Sequence, residues 1–250
     1  MMKQKGLSQE GLKLIACLTM LIDHTGATIV YTMYLNAYYA GDYAVSNAIV
    51  PVYQTMRILG RIAFPIYCFL LVEGAHYTRN PKKYALRLFV GMLLSEIPFD
   101  LAFSGAIDWE SCSVMVTLLL GYGMIMAMDR VKGFWKIVVI VPFFLLAEWL
   151  QTDYAGNGLA IIALLALTKG HPREKLLRAL GLVVLLWFGP AIQVGPVQLP
   201  MELFGLISLI PIFCYQGRKL TRSKAVQWDF YLFYPVHLLM LALLKMTIFA

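Results

Sequence analysis

An aspartate and a histidine interrupt the first long apolar run of the chain, at Asp23-His24-Thr25-Gly26. Burying ionisable groups in the middle of an apolar helix is costly, so the default reading of such a pair is a site. Lys13 lies eleven positions before His24. Eleven steps of about 100° return a helix to within about 20° of the same face, roughly 16 Å further along its axis. One face then carries a cation at the mouth of the run and an imidazole in its depth. Histidine titrates near neutrality, which suits it to general base work; the bland alternative is a packing histidine with both nitrogens satisfied.

Other polar residues fall where apolar packing is expected. Arg57 and Arg61 are four apart and share a helix face, where like charges repel unless an anion joins them. A phosphate, a carboxylate ligand or a buried glutamate is the expected counter-charge, with the outer headgroup level of a membrane as the alternative. Glu96 and Asp100 flank Pro98, which frees a backbone carbonyl and kinks a helix; they could handle a proton or simply pair with Arg57 and Arg61. Glu73 and His76 have the spacing of a helical pair, and His237 follows Tyr234 and Pro235. Lys245 reads as a snorkelling residue near a helix end, and His171 as a solvated turn residue. The four cysteines, Cys17, Cys68, Cys112 and Cys214, give neither a disulfide framework nor metal spacing, so no metal is expected. No Gly-x-Ser-x-Gly elbow, phosphate loop or His-Glu-x-x-His is present, which leaves a histidine base acting on an activated donor.

The elements that must position these residues follow from composition. Of 250 residues, 60% are hydrophobic and 14% charged, and the mean hydropathy is +0.71; a soluble surface needs more charge. In lipid a backbone satisfies itself as helices or a closed barrel. The runs at 137–146 and 238–248 lack strand alternation, so the expected fold is an all-α polytopic transmembrane helical bundle. The net charge of +7 does not point to nucleic acid, because the basic residues cluster between apolar runs. The clusters are Lys3, Lys5 and Lys13; Arg79, Lys82, Lys83 and Arg87; Arg130, Lys132 and Lys136; Lys169, Arg173, Lys175 and Arg178; and Arg218, Lys219, Arg222 and Lys224. The connections at 31–47, 104–112, 151–158 and 190–200 hold no Lys or Arg. That asymmetry puts the N-terminus in the cytoplasm. It also implies about nine spans, near 12–31, 58–76, 84–103, 113–129, 134–150, 157–169, 176–190, 200–216 and 228–249, with 44–57 as a tenth, outer interfacial or re-entrant helix. Asp42, Asp108, Glu110 and Asp153 then fall in outer connections, as solvated residues. The expected organisation is a single domain over 1–250, without repeats.

Several blocks resemble, in order, the TraX family of membrane proteins: KLIA at 13–16, IDHTG at 22–26, GRIAFP at 60–65, LLVEG at 70–74, HYTRN at 76–80, KY at 83–84 and LSEIPFD at 94–100. The likeness covers about 13–129 and resumes at 230–237. TraX-type proteins are associated with N-acetylation of a conjugative pilin subunit, and the family is similar to a wider group of membrane acyltransferases that modify sugars and lipids. In that group a basic residue, ten intervening positions and a histidine recur on the first span. Lys13 and His24 match that spacing, with lysine where the group often has arginine, and Tyr234, Pro235 and His237 match its Tyr-Pro-x-His.

The resemblance implies a membrane-bound acyltransferase of the bacterial plasma membrane. It would move an acetyl group from acetyl-CoA, or the acyl group of another acyl-CoA, to an amine or hydroxyl of a protein, peptide, sugar or lipid acceptor. His24 is the expected base, with an acyl-histidine as the alternative. Asp23 would hold Arg57 or Arg61, Glu73 or Asp100 would orient the imidazole, Arg61 or Tyr234 would stabilise the oxyanion, and His237 is a further candidate catalytic residue. Lys13, Arg57, Arg79 and Lys83 are the expected contacts for donor phosphates. The rival readings are a proton- or solute-coupled transporter and a non-catalytic assembly partner.

Overall fold

Ser8 starts the first helix: its hydroxyl accepts from the Gly11 N–H at 3.1 Å, and Glu10 in the first turn complements the helix dipole. Helix α1 (Gln9–Thr25) passes through a π-helical turn (Gly26–Val30) into α2 (Tyr31–Tyr39) without a break, a continuous helix of 31 residues. The first run expected at 12–31 thus continues for two further turns. The chain reverses at Gly41, whose φ of +78° is a conformation glycine adopts without strain. Asp42 then caps α3 (Tyr43–Gly60) by accepting from the Val45 N–H at 3.0 Å. Helix α3 returns along α2 and α1. The separate helix expected at 44–57 is therefore the antiparallel partner of the first long helix. A short break at Arg61 and Ile62 leads into α4 (Ala63–Tyr77).

The structure, a computed structural model, describes residues 6–108, 110–194, 197–217 and 224–249. The expected basic residues Lys3, Lys5, Arg218, Lys219 and Arg222 lie outside them. Asn80 caps α5 (Pro81–Phe103), with Pro81 at the first helical position, where its missing N–H costs nothing. Ser113 caps α6 (Val114–Met128). Then come α7 (Trp135–Trp149), α8 (Ala155–Thr168) and α9 (Glu174–Leu186). An antiparallel hairpin of β1 (Ala191–Val194) and β2 (Val197–Pro200) follows. The span expected at 200–216 is a 3-10 segment (Met201–Ser208) and a five-residue helix, α10 (Leu209–Phe213). The last helix is α11 (Lys224–Ile248), which lies along α5.

Helices α4 and α8 sit inside the bundle. Phe64, Ile66, Cys68 and Leu71 of α4 and Leu159, Ile161, Ile162 and Leu165 of α8 are all buried. Outward, α5, α7, α9 and α11 present Leu93, Val141, Leu145, Val184 and Met240, a skin that suits lipid. Among the described residues, three helical stretches are long and apolar enough to cross a bilayer: Gln9–Tyr39, Tyr43–Tyr77 and Trp228–Ile248. This is an all-α membrane protein. Backbone bonds tie connections together at each end: Leu7 donates to the Cys214 carbonyl at 2.9 Å, and Asp153 to the Cys112 carbonyl at 2.8 Å.

Candidate active site

His24 sits where α1 passes into the π turn, and His237 sits on α11, one turn after Phe233. Both side chains are buried. Nδ1 of His24 and Nε2 of His237 are 2.7 Å apart, with the rings nearly parallel at 8°. The other ring nitrogen of His237, Nδ1, is 2.6 Å from the Phe233 carbonyl oxygen. A carbonyl only accepts, so Nδ1 of His237 carries the proton and donates. With both rings neutral, Nε2 of His237 is then the acceptor and Nδ1–H of His24 the donor. The proton position on His24 follows: Nε2 is bare, the state of a base. Phe103 and Tyr234 stand edge-on to the His24 ring at 5.5 Å and 5.9 Å. The Tyr234 hydroxyl is buried and faces the Ser113 side chain and the Val114 backbone, without a well-aligned hydrogen bond among the described residues.

The π turn touches this site directly. Thr28 donates its hydroxyl to the His24 carbonyl at 2.6 Å. Such turns displace backbone groups from helical register and cluster at functional sites.

Asp23, one position earlier and about 100° around the helix, belongs to a different cluster. Its carboxylate accepts from Arg57 at 2.7 Å and, through both oxygens, from Arg61 at 3.0 Å. Arg61 also donates to Glu202 at 2.8 Å and lies over the Tyr154 ring. Tyr154 has φ of +65°, strained for a residue with a Cβ, and its ring stacks on Phe64 at 3.7 Å. Gly60 packs so tightly on the Asp23 carboxylate that a Cβ there has no room. Two carboxylates thus neutralise two guanidiniums. The counter-charge expected for Arg57 and Arg61 is the protein's own, from Asp23 and Glu202 rather than from Glu96 or Asp100. Asp153 is partly buried in the same field rather than solvated; burial pushes its carboxyl up to about 6, against the pull of Arg61.

A cavity of about 700 Å³ approaches the histidine pair from the Lys13 end of the bundle. At its rim Lys13 lies 4.9 Å over the Phe230 ring, and Arg87 lies 5.4 Å and 5.9 Å over Tyr84 and Tyr231; Glu10 and Glu73 reach the rim too. Lys13 and Met20 line one wall, and Cys17 contacts Tyr67 on the opposite wall at 3.2 Å. These residues and His24 form the single helix face that the eleven-residue spacing implies. The cavity stops one turn short of His24, where Met20 and Tyr234 close it.

Several expected residues lie elsewhere. The hydrogen bonds of the histidine pair go to each other and to Phe233, so neither Glu73 nor Asp100 orients the imidazole. Glu73 pairs with Lys169, and Asp100 is buried near the C-terminal end of α5. Glu96 accepts from the N–H and hydroxyl of Ser113. Arg57 is held by Asp23, and Arg79 and Lys83 are exposed and off the cavity wall. Arg87, one turn beyond Lys83, is the basic residue of α5 that lines it. Nothing but that spacing could have singled out Arg87, since it looks like one more loop charge. Lys245 donates to the Ala102 and Phe103 carbonyls at 3.2 Å and 3.4 Å, capping α5 instead of snorkelling. Arg178 is buried and bonded to Glu174, Thr168 and Leu165.

No solved structure matches the chain significantly. A protein of Dichelobacter nodosus named "Probable fimbrial assembly protein FimC, serogroup H1" is 31% identical over 211 residues, which is 78% of this chain and 84% of that protein. The pattern of the family described as TraX protein matches residues 8–245. That match takes in the histidine pair, the ion cluster and most of the cavity wall, and with it the chain belongs to the TraX family.

Proposed function

We propose that the protein is a plasma-membrane acyltransferase that draws an acyl-CoA, acetyl-CoA first of all, from the cytosol through the cavity toward His24. The observation that carries this reading is the cavity itself: it runs from a rim with Lys13 and Arg87 to a wall shared with Tyr234, against which His24 packs. The positive-inside pattern favours a cytosolic rim. Lys13 and Arg87 meet the donor diphosphate, and the apolar wall takes the pantetheine arm. Tyr234 lines the inner end of the cavity, where the thioester carbonyl would arrive, and its hydroxyl donates to the oxyanion. Nε2 of His24 removes the proton from the acceptor amine or hydroxyl as it attacks the carbonyl carbon. The C–S bond breaks, and His24 returns the proton to the departing thiolate. His237 keeps His24 in the reactive tautomer and shares the charge of the transient imidazolium.

The name of the Dichelobacter relative favours a fimbrial or pilus subunit as the acceptor. It also gives weight to a second reading, an assembly partner without chemistry. One experiment separates them: purified protein is assayed for acetyl-CoA thioester cleavage beside His24→Ala. Acyl transfer predicts cleavage that falls about 10²- to 10⁴-fold in the variant with thermal unfolding unchanged. Intact thioester with solute counterflow would establish a transporter, and fimbrial assembly undisturbed by His24→Ala would establish the non-catalytic role.

A further inference from the structure

A second cavity, of about 760 Å³, opens beside the first, and Glu73, Tyr77, Tyr215 and Gly217 line both. The two differ in kind. Met20, Leu70, Leu71 and Val114 give the first an apolar wall, whereas Arg173, Glu174, Lys175 and Arg178 line the second. Arg178 is committed to Glu174 at 2.6 Å, and the neighbouring Lys169 to Glu73. Arg173 and Lys175 form no ion pair among the described residues, and the Lys175 ammonium stands 5.5 Å over the Phe213 ring. The second cavity therefore offers two cations without an acidic partner among the described residues, with Phe213 and Tyr215 in the same wall, a combination that suits a phosphorylated ring compound.

We propose that this cavity holds the 3′-phosphoadenosine end of the acyl-CoA donor. Arg173 and Lys175 take the 3′-phosphate and Phe213 and Tyr215 flank the base. The diphosphate crosses the shared rim, and the pantetheine arm descends the first cavity toward Tyr234 and His24. The assignment rests on the acyl-transfer reading and adds a claim of its own: the nucleotide, not the thioester alone, is recognised, and by residues remote from the histidine pair.

The test compares acetyl-CoA with acetyl-pantetheine, which lacks the nucleotide, in detergent free of anionic lipid. In Arg173→Ala/Lys175→Ala the KM for acetyl-CoA rises about tenfold or more, kcat stays within about twofold, and turnover of acetyl-pantetheine is unchanged. Adenosine 3′,5′-bisphosphate inhibits the wild type competitively and loses that effect in the double variant, while Arg173→Lys/Lys175→Arg keeps it. An unchanged KM in the double variant, with wild-type turnover intact, overturns the nucleotide site and leaves acyl transfer standing. Inhibition by phosphatidylglycerol vesicles equal to that by the nucleotide also overturns it, assigning the cations to a lipid headgroup. A wild type that cleaves neither thioester removes acyl transfer, and this site with it.

Discussion

His237 has two polar contacts, and each constrains a proton: Phe233 fixes the one on its Nδ1, and its bare Nε2 fixes the one on His24. In the proposed reaction its replacement by leucine lowers kcat by about tenfold or more, the scale of one lost hydrogen bond to a charged intermediate. His237→Gln retains more activity, since an amide oxygen can accept from His24; equal loss in both variants would argue for packing alone. Asp153 gives a different signal. Its folded pKa, about 6, lies above the ordinary carboxylate value of 3.8. The folded state therefore binds the proton more tightly, and stability present below pH 4 is lost as pH rises toward 6 and above. Thermal unfolding followed across that window should show the decline in the wild type and not in Asp153→Asn. The face of Lys13 and His24 was legible in the sequence because helical periodicity alone dictates it. The partner of His24 was not, because the rotation of α11 about its own axis, which brings His237 rather than Glu73 or Asp100 to the imidazole, is set by packing.

Helix α3 is held to α1 by close approach as much as by charge. A Cβ on Gly26 would meet the Met56 Cβ at 2.9 Å, and one on Gly60 would enter the Asp23 carboxylate. Gly60→Ala must separate the helices or dislodge Asp23 from Arg57 and Arg61. A cost of about 1–3 kcal/mol is expected from overpacking, read as a lower unfolding midpoint in detergent. Asp23→Ala leaves Arg57 without its acidic partner and Arg61 with Glu202 alone, and costs about 3–5 kcal/mol, the scale of a broken buried pair; a smaller loss would mean that Glu202 or water compensates the two guanidiniums. The sequence made an acidic partner for these arginines predictable, since two cations on one face demand one. Asp23 was within reach of that argument, but Glu202 was not: it lies 141 positions from Arg61 on a 3-10 segment that hydropathy renders as part of a plain span. The π turn was equally invisible, since nothing in Gly26–Val30 departs from an ordinary apolar helix. Arg87 was hidden for another reason: a rule that explains loop charges by topology has no term for one that turns inward.

At the scale of the molecule the two ends differ in charge and in what they hold. The cavity, the bond of Leu7 to Cys214 and the pair of Lys169 with Glu73 share one end, and the bond of Asp153 to Cys112 marks the other. Lys13, Lys169, Arg173 and Lys175 lie toward the first end, whereas the connection at 104–112 has no Lys or Arg. If retention of basic loops sets orientation, the cavity end is cytosolic, as a cytosolic donor requires. Single cysteines in a background lacking Cys17, Cys68, Cys112 and Cys214 can test it. Tyr39→Cys and Ser104→Cys lie in exposed positions near the opposite end, and His171→Cys in an exposed turn near the cavity end. A membrane-impermeant maleimide added to intact cells should label the first two and reach the third only after lysis. The reverse pattern would place the cavity mouth outside, where acyl-CoA is not supplied, and would remove the donor route while leaving the histidine pair in place. Labelling of His171→Cys together with Tyr39→Cys would show that the helices between them do not alternate as nine spans, and the count of crossings would then have to change by an odd number between residues 39 and 171.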